Sequence, residues 1–172
     1  MDNLLYLIVI YPIIFILPAY AANGAPVIFG GGTPLDLNRK CLGRPIFGKH
    51  KTVRGLIFGI ASGIAVGLAE SLVPGFGFML GVGILESLGT HFGDLLGSFI
   101  KRQRGVQEGK RSLFMDQYLF LVFAIAFAAP LALAHGLMPD IYGIAFLVVL
   151  TGIMHPLTNM GAYLLGLKKV PW

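Results

Sequence analysis

Residues 49–73 read KHKTVRGLIFGIASGIAVGLAESLV. Three cations, Lys49, Lys51 and Arg54, run directly into a largely apolar stretch from Gly55 to Val73. That stretch approaches the ~20 residues that cross ~30 Å of hydrocarbon. Four more stretches behave alike: about 4–22, 76–100, 113–134 and 141–166. The chain is 56% hydrophobic and 12% charged, against about 25% charged in soluble domains. A bilayer offers the backbone no hydrogen-bond partner, so spanning segments of this length must be helices. The expected fold is therefore an all-α integral membrane protein, one domain over residues 1–172 with five transmembrane helices.

All 13 Lys and Arg residues fall in three clusters: Arg39 to Arg54, Lys101 to Arg111, and Lys168-Lys169. The Pro74-Gly75 turn and the His135–Asp140 loop contain none. The positive-inside rule then places the N-terminus outside and the C-terminus in the cytoplasm. Two ordered cytoplasmic loops result, 23–54 and 101–112, in a multi-pass protein of the cell membrane. Ala19-Tyr20-Ala21 resembles a signal-peptide cleavage site, but the residues before it include an acid and no base, so the first helix is expected to be retained. The net charge of +5 belongs to loops facing lipid headgroups or a phosphorylated substrate, not to a nucleic-acid surface. Cys41, the single cysteine, permits no internal disulfide.

Ionisable residues inside spans are expensive and point to function by default. Asp94 lies near the cytoplasmic end of the third span and Asp116 near the start of the fourth. Two acids at like depth, beneath a basic loop, suit Mg²⁺, which takes one or two carboxylates and lets substrate phosphates complete its shell. Ser87, His91, Asp94, Ser98 and Lys101 are spaced 4, 3, 4 and 3, one polar face of a helix. That face must meet protein or water rather than lipid. Glu70 and Glu86 lie farther out and read as helix-contact residues. His155 precedes Pro156, expected to kink the fifth helix, with Thr158 and Asn159 placed to bond the freed backbone.

The first loop is long for a helix connection, and loops of that length are commonly functional. It holds Gly30-Gly31-Gly32, Pro34, Asp36 and the dense Gly48-Lys49-His50-Lys51-Thr52-Val53-Arg54-Gly55. Glycines let backbone amides approach phosphate, and the cations neutralise it. Gly43-x-x-x-x-Gly48-Lys49 is not a P-loop: His50 replaces the required Ser or Thr, and no apolar strand precedes it.

Gly93-Asp94-Leu95-Leu96-Gly97-Ser98-Phe99-Ile100-Lys101-Arg102, followed by Gly105-Val106, resembles the signature of the membrane CDP-diacylglycerol synthases. Lys51-Thr52-Val53-Arg54-Gly55 resembles that family's Lys-Thr-x-x-Gly block. The five spans and the lone acid in Ser112-Leu113-Phe114-Met115-Asp116-Gln117 depart from the bacterial pattern. Together with Asn23-Gly24-Ala25-Pro26 and Gly31-Gly32-x-Pro34-x-Asp36, they resemble the archaeal, ether-lipid branch. The resemblance implies a nucleotidyltransferase with CTP and an unsaturated archaeal ether lipid phosphate as substrates, Mg²⁺ as cofactor, and membrane lipids as surroundings. It implies Asp94, Asp116, Lys101 and Arg102 as catalytic, with Asp94 and Asp116 on the metal. Asn23, Gly31, Gly32, Lys51, Thr52, Arg54 and Ser98 are the implied nucleotide-binding residues. Two other classes fit the residues less well. CDP-alcohol phosphotransferases carry a multi-Asp helix signature that is absent here, and a transporter would need acids along the whole membrane depth. The sequence leaves the oligomeric state open.

Overall fold

The structure, a computed structural model, describes residues 2–108, 110 and 112–171. Met1 of the expected outer terminus and Arg111, last cation of the second cluster, lie outside the described residues. Five long helices follow one another: α1 (Asn3–Phe29), α2 (Val53–Ser71), α3 (Met79–Gln103), α4 (Leu113–Ala134) and α5 (Ile141–Leu164). Among the described residues, α1, α2, the Met115–Ala134 part of α4, and α5 are long and apolar enough to cross a membrane. The remaining long helix, α3, is long enough but too polar to join them by composition, since it carries Glu86, Asp94, Lys101 and Arg102.

The polar α3 packs against three of the other helices and keeps an apolar outer face through Ile84, Leu88 and Phe92. It packs most extensively on α4, then on α2 and α1. Glu86, Ser87, Thr90, His91, Ser98 and Arg102 are all buried along it. The expected polar face thus meets protein. Glu86 is fully buried and turned toward the backbone of Ala19, without a normal hydrogen bond among the described residues.

Two stripes of glycine make this packing close. On α2, Gly55, Gly59, Gly63 and Gly67 recur every fourth residue and all are buried. A Cβ on Gly59 would stand 2.2 Å from His91 Nε2, and one on Gly63 would stand 2.0 Å from Ser87 Oγ. On α3, Gly89 and Gly93 lie against the backbone of α4, where a Cβ would come within 2.2 Å of Phe123 O and 2.3 Å of Leu119 O. Small residues at this spacing are how membrane helices bring their backbones together. Apolar side chains fill the rest, in two clusters built around Phe120, Leu121 and Leu147 and around Phe15, Met79 and Val82.

Several boundaries differ from the sequence expectation. The first helix continues past Ala22 to Phe29, so Asn23-Gly24-Ala25-Pro26 is helical and not part of the loop. The physical reason is packing. Pro26 deprives the Ala22 carbonyl of its i→i−4 donor, yet that carbonyl lies against Gly59 and the Pro26 ring against Gly55. Near the other end of α1, the turn at Tyr6–Ile10 widens into π-helical bonding just before Pro12. The third helix starts at Met79 rather than 76, after a turn through Gly75 at φ 89°. Pro156 sits inside a continuous α5, and Thr158 Oγ1 donates to the Met154 and His155 carbonyls at 2.9 and 3.0 Å.

Gly93→Ala should part α3 from α4, because its new methyl meets backbone rather than a mobile side chain. Overpacking of this kind costs about 1–3 kcal/mol, and the melting temperature in detergent should fall by several degrees. Gly161→Ala on α5, which meets nothing within 4 Å, should leave it unchanged or slightly raised. Equal melting temperatures for the two variants would contradict the close α3–α4 contact.

Candidate active site

The three basic clusters meet at one end of the bundle. Loop one leaves α1 through Gly31 and Gly32, at φ 94° and 81°, and then doubles back. Leu35 N donates to Lys51 O at 2.7 Å, and Val53 N donates to Thr33 O at 3.0 Å. This pairing fixes Lys51-Thr52 at the mouth of α2. Thr52 caps that helix, its Oγ1 accepting from Gly55 N at 3.1 Å.

Asp36 holds the loop together. Its carboxylate is buried and accepts from Asn38 N at 3.0 Å, Phe47 N at 2.9 Å and Gly48 N at 3.0 Å. Burial pushes the Asp36 carboxyl up, but the amides of Phe47, Gly48 and Asn38 more than offset this and hold it below its ordinary value. The Gly48 amide, expected from sequence to face phosphate, is therefore already committed to a side chain. Beyond it, the short hairpin β1 (Lys40–Cys41) and β2 (Arg44–Pro45) docks on the end of α3. Arg44 Nη1 donates to Gln103 O, and Gln103 Nε2 donates to Pro45 O at 3.2 Å. The second loop grips the first through Glu108, which accepts from Lys49 N at 3.2 Å and lies 3.8 Å from His50 Nε2.

Two lysine–carboxylate pairs lie beneath this cover. Lys51 Nζ straddles Asp94, at 2.7 Å from Oδ1 and 2.6 Å from Oδ2. Lys101 Nζ donates to Asp116 Oδ1, and Ser112 N donates to Asp116 Oδ2 at 2.8 Å. Pro26, His50, Lys51, Thr52, His91 and Asp94 line a pocket of only ≈ 50 Å³. His91 is 6% exposed and its Nε2 has no hydrogen-bond partner among the described residues. A second cavity, of ≈ 420 Å³, lies between β2 and the loop after α3, with Arg44 and Arg102 on its wall.

The remaining expected residues are placed as follows. Asn23 is half-buried on α1 and Ser98 is buried on α3. Gly31 and Gly32 are exposed, with open space where a Cβ would stand. Arg54 is exposed, and its guanidinium sits 5.8 Å from the Phe58 ring centroid, outside the residues that line either pocket. Arg102 lines the second cavity and donates to Gln107 O at 3.2 Å. Sequence reasoning missed Lys168. Its Nζ donates to Asn159 Oδ1 at 2.8 Å. Burial lowers its pKa, Asp116 pulls it up and Lys51 pushes it further down, so the tail lysine lies within electrostatic reach of both pairs. The only signal was a basic residue directly after the fifth span. Asn159 serves this lysine rather than the backbone near Pro156.

Among the described residues no group of three or more His, Cys, Asp or Glu side chains gathers as a metal cage. The donor set, Asp94 and Asp116 each balanced by a lysine, suits Mg²⁺ that arrives with phosphates and takes only one or two protein carboxylates.

The sequence model of the CarS-like, CDP-archaeol synthase family matches residues 4–172. The chain is 43% identical to a CDP-archaeol synthase of Methanopyrus kandleri over 92% of this chain and 90% of that one. It is 44% identical to one of Pyrococcus abyssi, over 92% and 95%, and 40% identical to one of Methanococcus aeolicus, over 99% of each. A solved structure described as an intramembrane enzyme for archaeal membrane lipids biosynthesis superposes with a TM-score of 0.78 at 32% identity, over 86% of this chain and 92% of that one.

Asp36→Asn should loosen loop one, because one amide oxygen cannot replace a carboxylate that accepts three backbone donors. Bonds to a charged group are worth about 1.5–3 kcal/mol each, so tryptic cleavage within 39–54 should speed up tenfold or more. The carboxyl is held below its ordinary value. Its contribution should be complete above the usual carboxylate range and lost only as pH falls through the lowered native pKa. Wild-type cleavage rates in the variant would remove Asp36 as the loop's anchor.

Proposed function

The chain belongs to the CDP-archaeol synthase family, and on that premise we propose that it transfers CMP from CTP to an ether-linked glycerophosphate lipid. The substrate would be 2,3-di-O-geranylgeranylglyceryl phosphate, and the products CDP-archaeol and pyrophosphate. In this step a lipid phosphate oxygen forms a bond to the α-phosphorus of CTP, and the bond from that phosphorus to the bridging oxygen breaks, releasing pyrophosphate. The nucleophile is already ionised, so no general base is required. The protein must bring two polyanions together and stabilise the charge that moves to the leaving group.

Lys51 and Lys101, which donate to Asp94 and Asp116, would receive phosphate oxygens, and Lys168 would add a third cation from the tail. Each lysine that turns to phosphate frees a carboxylate. Asp94 and Asp116 would hold Mg²⁺, which when bound screens the phosphate charge. The observation that carries this reading is the pairing of both acids with lysines at one end of the bundle, beneath an anchored loop. A nucleotide needs a site of several hundred Å³, while the pocket beside Asp94 has ≈ 50 Å³, so loop one has to shift for CTP to enter. Asn23, Thr52, Arg54, Ser98 and the glycines at 31 and 32 are candidates for contacts to the nucleotide once loop one has shifted.

For placement in the membrane, α3 would be the third of five spans, tolerated because its polar face is buried. Segregation of the basic residues supports an N-terminus outside and would put the active site at the cytoplasmic face of the cell membrane.

Membranes containing the protein, incubated with radiolabelled CTP, Mg²⁺ and the lipid phosphate, should yield cytidine label in the organic phase. Asp94→Asn and Asp116→Asn should each lower that rate at least a hundredfold while the protein stays folded. Lys51→Ala should raise KM for CTP roughly ten- to a hundredfold, as expected for loss of a charge-assisted phosphate contact. A variant at Asp94 or Asp116 with wild-type rate and Mg²⁺ dependence would strike that acid from the metal site.

A further inference from the structure

The ≈ 420 Å³ cavity beyond Lys101 has the chemistry of an anion site. Arg102 is 7% exposed, and its Nε is buried with no hydrogen-bond partner among the described residues. Among the described residues its Nη2 donates to a neutral carbonyl, Gln107 O. The Arg44 guanidinium lies across Gly105, whose Cβ position is 3.5 Å from Arg44 Nη1, and it too donates to a carbonyl, Gln103 O. Among the described residues neither arginine pairs with a carboxylate. The one acid on the wall, Glu108, accepts from Lys49 N and faces His50. A buried cation without a counter-charge is costly, and guanidinium forks match phosphate oxygens. Arg102 is thus a buried cation without a counter-charge, and Arg44, which is exposed, adds a second guanidinium to the same wall.

Position narrows the choice of anion. Arg102 follows Lys101, the partner of Asp116, on α3, so the cavity lies at the same end of the bundle as the two lysine–carboxylate pairs, although none of those four side chains lines it. The rest of its wall, Pro45, Gly105, Val106 and Gln107, comes from the two loops and not from lipid-facing helix. A soluble phosphate anion fits such a wall better than a lipid phosphate does. Resting on the cytidylyltransferase reading above, we propose that the Arg44–Arg102 cavity binds inorganic pyrophosphate, receiving the leaving group on its way to the cytosol.

The probe is inorganic pyrophosphate, titrated calorimetrically into the full-length protein in detergent, alongside product-inhibition kinetics. Arg44→Ala should weaken pyrophosphate binding at least tenfold and raise its inhibition constant to match, with KM for CTP changed less than about twofold. Glu108→Gln keeps an acceptor for Lys49 N but removes a negative charge from the wall, so it should tighten pyrophosphate binding several-fold. Arg44→Lys keeps the charge and a donor to the Gln103 carbonyl, and should fall between wild type and Arg44→Ala. A merely structural latch would make Glu108→Gln neutral or harmful. Unchanged pyrophosphate affinity in the Arg44 variants, or weaker affinity in Glu108→Gln, overturns the proposal. So does a rise in KM for lipid phosphate with pyrophosphate binding intact, which would give the cavity to the lipid headgroup. Calorimetry needs no turnover. A protein that binds pyrophosphate through Arg44 yet makes no CDP-lipid would fail the proposed reaction while keeping the site.

Discussion

The bonds between Lys51 and Asp94 join the loop to the bundle and decide what the rest of the molecule must do. Asp94 sits near the end of α3 with about a third of its side chain exposed, at 35%, beneath loop one. Lys51 reaches it from loop one, bonded to both oxygens. For that lysine to arrive there, Thr52 must cap α2, Leu35 must bond the Lys51 carbonyl, and Asp36 must hold the loop closed. Buried ion pairs are weak sources of net stability, because desolvation consumes most of the Coulomb gain. This pair is half-exposed and can be exchanged. A phosphate can replace Asp94 as the lysine's partner at modest cost, which suits a site that must bind and release polyanions.

The glycine stripes give that pair its geometry. With no side chains at Gly55, Gly59, Gly63 and Gly67, α2 lies directly on α1 and α3, and the His91 imidazole and Ser87 hydroxyl occupy the space a Cβ would take. On the other face of α3, Gly89 and Gly93 admit the backbone of α4, which brings Asp116 to Lys101. Close backbone contact in a membrane protein compensates for the absence of a hydrophobic driving force between helices. Here it also sets the spacing between charged side chains on neighbouring helices.

Much of this was legible in the sequence. The clustering of cations and the apolar stretches located all five helices, and the Gly-Asp…Lys-Arg segment located α3's charged end. The acids Asp94 and Asp116 stood out because carboxylates near a span demand a reason. Other features were hidden because their signals are ambiguous locally. Asn23-Gly24-Ala25-Pro26 has turn-forming residues, and only the glycine face of α2 keeps it helical. The roles of Asp36, Glu108 and Arg44 depend on contacts between segments 11 to 59 residues apart in the chain, which periodicity does not report. Lys168 reads from sequence as an orientation signal, and its bond to Asn159 Oδ1 depends on the fold of the tail. The Gly48 region illustrates a deeper ambiguity: amides exposed by a glycine-rich turn can bind phosphate or a carboxylate of the same chain, and here Asp36 takes them.

The most direct measurement is a structure of the protein with CTP and Mg²⁺ bound, compared with the Lys51–Asp94 and Lys101–Asp116 pairs. Lys51 Nζ should have left Asp94 for a phosphate oxygen, with loop one displaced around it and both Asp94 and Asp116 turned toward the metal. Nucleotide bound while Lys51 still straddles Asp94, or bound away from the two acids altogether, would contradict the exchange of partners on which the proposed chemistry depends.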